Sequence, residues 1–192
     1  AALLALLLWY ASSMVPGFKG QAADPSLAEL VLHLGYLNGI VNYPWLNPVF
    51  WTLAIEFQYY LLISLVFHLV SSGHLNRRLP VLLAFLILPF FFHDNTYVFR
   101  FLGLFMLGIS AFQFRVGVIG RIEMISILIL AALSIGFSLG WAECIAGLFA
   151  TVLMLVDWNA RRMRPLLFLG TISYSLYLLH VPIGGRVINL GR

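Results

Sequence analysis

Residues 48 to 70 form an apolar run of membrane-crossing length that carries a single carboxylate, Glu56. A hydrocarbon core of about 30 Å takes roughly 20 helical residues to cross, and an ionised side chain inside such a stretch costs about 2.5 kcal/mol or more unless water or a partner meets it. The run therefore points to a helix in lipid with one side turned toward something polar. That makes Glu56 a candidate functional residue.

The remainder of the chain has the same character. It is 62% hydrophobic and 9% charged, with a mean hydropathy of +0.99, whereas soluble domains carry about 25% charged residues. An ordinary soluble domain is excluded, and the chain reads as an integral membrane protein. The net charge of +4 does not point to nucleic acid, because the eleven basic residues fall mostly in short gaps between apolar runs, where they set topology. The one cysteine, Cys144, lies in an apolar run, which rules out an intrachain disulfide or a zinc cluster; it reads as a small buried hydrophobe. No metal is expected.

Seven apolar segments are expected to cross or enter the membrane, at 1 to 15, 48 to 70, 79 to 92, 97 to 114, 122 to 140, 142 to 157 and 166 to 188. The fold class is thus all-α, a polytopic helix bundle forming a single domain over 1–192. Because the first run begins at Ala1 without a basic leader and the last ends beside Arg192, the chain reads as a fragment incomplete at both ends. The gaps alternate in charge. Arg77 and Arg78 lie in one, Arg115 and Arg121 in another and Arg161, Arg162 and Arg164 in a third, while the gaps near His93 and Gly140 carry neither lysine nor arginine. This alternation puts the arginine-bearing gaps in the cytoplasm and segment 16–47 outside, in a multi-pass protein of a cell (inner or plasma) membrane.

Within that outer segment, Ser26 and Glu29 have the spacing of a capping box, followed by Leu27, Leu30, Val31, Leu34 and Leu37 at helical intervals. An amphipathic helix of about three or four turns is expected there, lying at the interface or partly re-entrant.

Two polar stripes stand out inside the apolar segments. Thr52, Glu56 and Tyr60 fall at i, i+4 and i+8, and Ser173, Tyr177 and His180 at i, i+4 and i+7, so each set shares one helix face. At a rise of about 1.5 Å per residue, Glu56 and His180 both come about 10 Å below the outer edge of the hydrocarbon, with Arg100 about 5 Å down. A carboxylate, a histidine and an arginine at comparable depth make an acid/base and anion-stabilising set of the kind acyl transfer requires. Each also has an ordinary reading, as a hydrogen-bonded packing group or, for Arg100, as a side chain snorkelling to the surface.

The stretch NPVFWTLAIEFQYYLL at 47–62 resembles the early P-x-x-W-[ST]-L-x-x-E signature of the acyltransferase 3 family of membrane O-acyltransferases, and FLGTISYSLYLLHVPI at 168–183 resembles its late L-G-x-I-S-Y-S-L-Y-L-x-H-x-P signature. Between them, RFLGLFMLG at 100–108 is similar to a weaker family segment. The resemblance implies a bundle that moves an acyl group, usually acetyl, from cytoplasmic acyl-coenzyme A to a hydroxyl of an extracytoplasmic glycan or lipid-linked saccharide. Under it, Glu56 and His180 are the catalytic candidates. Trp51, Tyr60, Arg100, Ser173 and Tyr177 are the substrate-binding candidates, and the basic gaps, including Arg77 and Arg78, are candidates for the phosphates of coenzyme A. Acyl-coenzyme A enters as donor substrate, with no bound cofactor. The family's early arginine and histidine motif, which holds its principal base, does not occur in this sequence, so this stretch alone is expected to be inactive. A proton-coupled transporter or a structural membrane subunit are the alternatives that an intramembrane glutamate leaves open.

Overall fold

A computed structural model describes residues 7, 10, 11, 14, 26–45, 47–156 and 164–190. Among these the regular structure is entirely helical: α1 (Leu27–Leu34), α2 (Phe50–Val70), α3 (Leu75–Ile87), α4 (Leu102–Arg115), α5 (Arg121–Ser138), α6 (Trp141–Leu155) and α7 (Arg164–Leu190). Short 3₁₀ turns at Leu88–Phe90 and Val98–Phe101 extend α3 and precede α4. The expected segments from 48 onward coincide with α2 to α7. The first, at 1 to 15, lies outside the described residues except for four of its positions.

Among the described residues three helices are long and apolar enough to cross a membrane: Phe50–Val70, Val98–Arg115 and Arg121–Ser138. The helix Trp141–Leu155 and the apolar stretch Leu166–Val181 are shorter, as is the 13-residue α3. Among the described residues, lipid-crossing character is therefore carried by three helices rather than evenly by all the apolar segments.

The chain divides into two units, Ile55–Asp157 and the remainder. In the first, α4 is the central helix. It packs on α3, α5 and α6, and 44% of its span is buried, against 22% for Phe50–Val70. Leu102, Met106 and Leu107 of α4 meet Ala131 and Ile135 of α5 in the core. Lipid tails are as apolar as leucine, so packing of this kind relies on close approach and on polar contacts between helices. Both are present. A Cβ added at Gly103 would stand 2.8 Å from Ile135 Cγ1, so α4 and α5 approach as only glycine allows. Ser134 Oγ donates to the Leu86 carbonyl at 2.7 Å, the Gln113 carboxamide to the Val70 carbonyl at 2.6 Å, and Cys144 Sγ to the Ala132 carbonyl at 3.3 Å. Cys144 is thus the buried small residue the sequence suggested.

At the arginine-bearing end, Arg78 of α3 pairs with Glu123 of α5 and also donates to the Val118 carbonyl at 3.2 Å. With only 2% of its side chain exposed, Arg78 is committed to holding α3, α5 and the turn between α4 and α5. It is not available to a ligand phosphate.

In the second unit the capping box forms as the spacing predicts. Glu29 N donates to Ser26 Oγ at 3.2 Å, and Ser26 N to Glu29 Oε2 at 2.8 Å. The helix is shorter than expected, eight residues. It is closed by a Schellman turn in which Tyr36 takes the left-handed conformation at φ 56° and Leu37 N bonds back to the Leu32 carbonyl at 2.9 Å. Leu27, Val31 and Leu34 remain exposed. The opposite face carries the docking residue, His33, whose ring stacks on Phe50 at 4.4 Å and meets Trp45 edge-on at 5.9 Å.

Candidate functional site

The two stretches that carry the family resemblance meet inside this second unit. Phe50 and Leu53, from the first turn of α2, pack with Leu178 of α7 in a small buried cluster. Asn47 lies at its edge, 5% exposed. Its carboxamide nitrogen donates to the Leu178 carbonyl at 3.2 Å, and its oxygen accepts from Val49 N at 3.2 Å. One side chain thus starts α2 and fixes α7 against it. Beside this anchor, Thr52 Oγ1 and the Tyr177 hydroxyl lie 2.6 Å apart, while Thr52 Oγ1 also donates to the Val49 carbonyl at 3.0 Å. Since threonine has one proton to give, Tyr177 is the donor between the two hydroxyls whenever Thr52 serves Val49. One member of each polar stripe meets the other at this contact.

His180 lies one turn further along α7. Its Nδ1 is 2.5 Å from the Tyr177 carbonyl, a contact that requires the proton on Nδ1 and, in the neutral ring, leaves Nε2 as the acceptor. The Tyr177 and His180 rings are 5.6 Å apart, and both residues are exposed. Ser173 is also exposed, with its hydroxyl spent on the Gly170 carbonyl of its own helix at 2.7 Å. The arrangement supplies a tyrosine hydroxyl and an imidazole on one accessible face, able to hold and pass a proton.

Glu56 belongs to the other unit. Its carboxylate is exposed, and no hydrogen bond or ion pair to it occurs among the described residues. The companion that an intramembrane carboxylate needs is thus not supplied by the helices of its own unit. Its height on α2 is informative all the same. Gln58, half a turn further on, donates to the Thr96 carbonyl at 2.9 Å and accepts from Val98 N at 3.0 Å. This carboxamide clamp holds the polar turn 93–97 at the level of Gln58, about 12 Å along α2 from Phe50. Glu56 therefore stands at or above the height of a polar loop, not at the middle of an apolar slab.

Arg100 is turned into the same loop, where its guanidinium donates to the His93 carbonyl. Asp94 accepts from Thr96 N at 2.8 Å, and that bond holds its carboxyl below the usual carboxylate range. These contacts give Arg100 a structural use at the turn. Trp51 and Tyr60 are both exposed, Tyr60 by 62%. Among the cytoplasmic candidates, Arg77 is exposed. Arg161 and Arg162 lie outside the described residues, and of Arg164 only the backbone is described.

Sequence reasoning missed Asn47, Gln58 and His33 as organising residues. Asn47 and Gln58 stood in plain view within the early motif, and a carboxamide in a lipid-facing run is a signal that a backbone must be met there. Histidine is of intermediate burial tendency, so nothing in the sequence marks His33 as buried. It is 2% exposed, and burial pushes its pKa down to about 4. Compared with protein families, characterised proteins and solved structures, the chain has no match.

Proposed function

We propose that this chain is part of a membrane O-acyltransferase that moves an acetyl or similar acyl group from acyl-coenzyme A to a hydroxyl on a glycan or lipid-linked saccharide. The observation that carries the reading is the contact between the early and late motif stretches at Thr52 and Tyr177, reinforced by the Asn47 bridge to Leu178. Under this reading the helix ends bearing arginine face the cytoplasm, the shorter helices complete a multi-pass bundle in a cell membrane, and donor and acceptor arrive from opposite sides.

In the reaction the acceptor hydroxyl oxygen bonds to the thioester carbon as its proton leaves, the tetrahedral intermediate collapses, and the carbon–sulfur bond breaks to release coenzyme A thiol. Glu56 serves the base side of this exchange. His180, with Nε2 free to accept, and the Tyr177 hydroxyl hold the acceptor hydroxyl. Trp51 and Tyr60 offer faces on which a sugar ring can stack. An exposed carboxylate on a lipid-crossing helix suits this role because it needs a polar companion, and the acceptor or its water would be one.

The test is transfer of labelled acetyl from acetyl-coenzyme A in membranes containing the whole protein. Glu56→Gln should lower transfer by about a hundredfold or more while membrane level and helix content stay unchanged. Transfer equal to that of the unsubstituted protein would remove Glu56 from the chemistry.

A further inference from the structure

The helices α2 and α4 touch at two heights and part between them. At the upper height the rings of Tyr59 and Phe105 stack at 3.8 Å, 5° from parallel. At the lower, the Gln113 carboxamide binds the Val70 carbonyl. Between the two lies an open-sided cleft of about 240 Å³, lined by Ile63, Phe67, Gly108, Ile109 and Phe112 and reaching Ser71, Val116 and Val118 at its lower mouth. Space opens beside Gly108, where an added Cβ would meet no atom within 4 Å. Phe67 and Phe112, each 61% exposed, form its outer rims.

Three features identify an occupant. First, the walls are apolar and belong to two of the three helices long enough to cross a membrane, so the cleft opens sideways onto hydrocarbon. Second, eleven residues separate Tyr59 from Val70 on α2, which is about 16 Å at 1.5 Å per residue, close to half of the ~30 Å core and so to the depth of one leaflet. The cleft begins at the arginine-bearing end and is shut about 16 Å along α2 by the Tyr59–Phe105 stack, just below the level of the Gln58 clamp. Third, the helix ends on that side carry Arg77 and Arg121, both exposed, whereas Glu123 at the same end is paired with Arg78. A positive surface of that kind attracts anionic headgroups by about 1 kcal/mol per basic residue.

We infer that this cleft is a binding site for one acyl chain of an anionic phospholipid from the leaflet on the arginine side, with its headgroup at the arginine-bearing end. The volume lies below the 300–1,000 Å³ typical of pockets for drug-sized ligands and suits a single hydrocarbon chain. The inference is independent of acyl transfer.

The experiment reconstitutes the protein in vesicles containing phosphatidylglycerol with a photoactivatable diazirine in its acyl chain, irradiates them, and maps the adducts. Adducts are expected on the peptides containing Ile63 and Phe67 and those containing Ile109 and Phe112. Gly108→Leu, which fills the cleft, should reduce them by about tenfold, while adducts on α5 stay constant. A phosphatidylcholine probe should label the cleft far less. Adducts spread evenly over all the lipid-facing helices of the unsubstituted protein would overturn the site, whatever the variant does. Equal labelling by phosphatidylcholine, or displacement of the probe by acyl-coenzyme A, would overturn the assignment of the occupant.

Discussion

Burial decides what individual residues do here more than their type does. His33 shows this most directly: its ring lies between Phe50 and Trp45, with both nitrogens enclosed and unpartnered. A proton on that ring has no acceptor, so docked α1 holds His33 neutral down to about pH 4, against an ordinary histidine value of 6.5. The undocked state binds the proton more readily between those values, so docking is at full strength above pH 6.5 and weakens as pH falls toward 4. The loss amounts to about 3 kcal/mol at most. Fluorescence of Trp45 should report α1 undocking over this window, and His33→Phe should abolish the response. Arg78 is the complementary case. It is buried as a charge, and its cost is met by Glu123 and the Val118 carbonyl. Glu123→Gln should therefore cost about 3 kcal/mol in unfolding measurements in detergent, because the guanidinium is left enclosed without its counterion. Replacing Arg78 and Glu123 together by methionine should cost less than the single change.

Elements were legible in proportion to how locally they are determined. Apolar periodicity located α2 through α7, and the Ser26–Glu29 pair located the start of α1, because hydrogen bonds over three or four residues decide both. The end of α1 was not legible: the left-handed position of its closing turn is held by Tyr36, where a glycine would have been the recognisable signal. The meeting of α2 and α7 depends on residues 131 positions apart in the chain, and only the i, i+4 polar stripes hinted at it. Asn47 is the residue on which this contact turns. Asn47→Ala removes the bonds to the Leu178 carbonyl and from Val49 N, leaving a buried carbonyl unmet. A loss of about 2 kcal/mol is expected, read as increased hydrogen exchange in residues 174–182 while α4 and α5 keep their protection. Exchange unchanged in α7 would mean that the Phe50, Leu53 and Leu178 packing alone holds the contact.

Across the membrane, the questionable element is α3. With its 13 residues and the three-residue 3₁₀ turn that follows, it spans only about 25 Å, short of a ~30 Å core. On the topology that the alternating charge predicts, it crosses, since Arg77 and Arg78 lie at its start and the turn 91–97 at its end carries no lysine or arginine. The Gln58 clamp resolves the mismatch. By binding Thr96 and Val98, it holds the far turn about 18 Å along α2 from Val70, so α3 need climb only to a recessed surface that its length can reach. No local pattern marks this clamp, because it joins a side chain to the backbone of a turn 38 residues away. Such a recess would also admit water to the height of Glu56. Single cysteines at Ser72 and Asn95, in a Cys144→Ser background, test the crossing with a membrane-impermeant maleimide. Asn95→Cys should label from outside in intact cells and Ser72→Cys only after permeabilisation. Labelling of both from the same side would mean that α3 turns back within the membrane, and the alternation of basic gaps would lose its topological meaning.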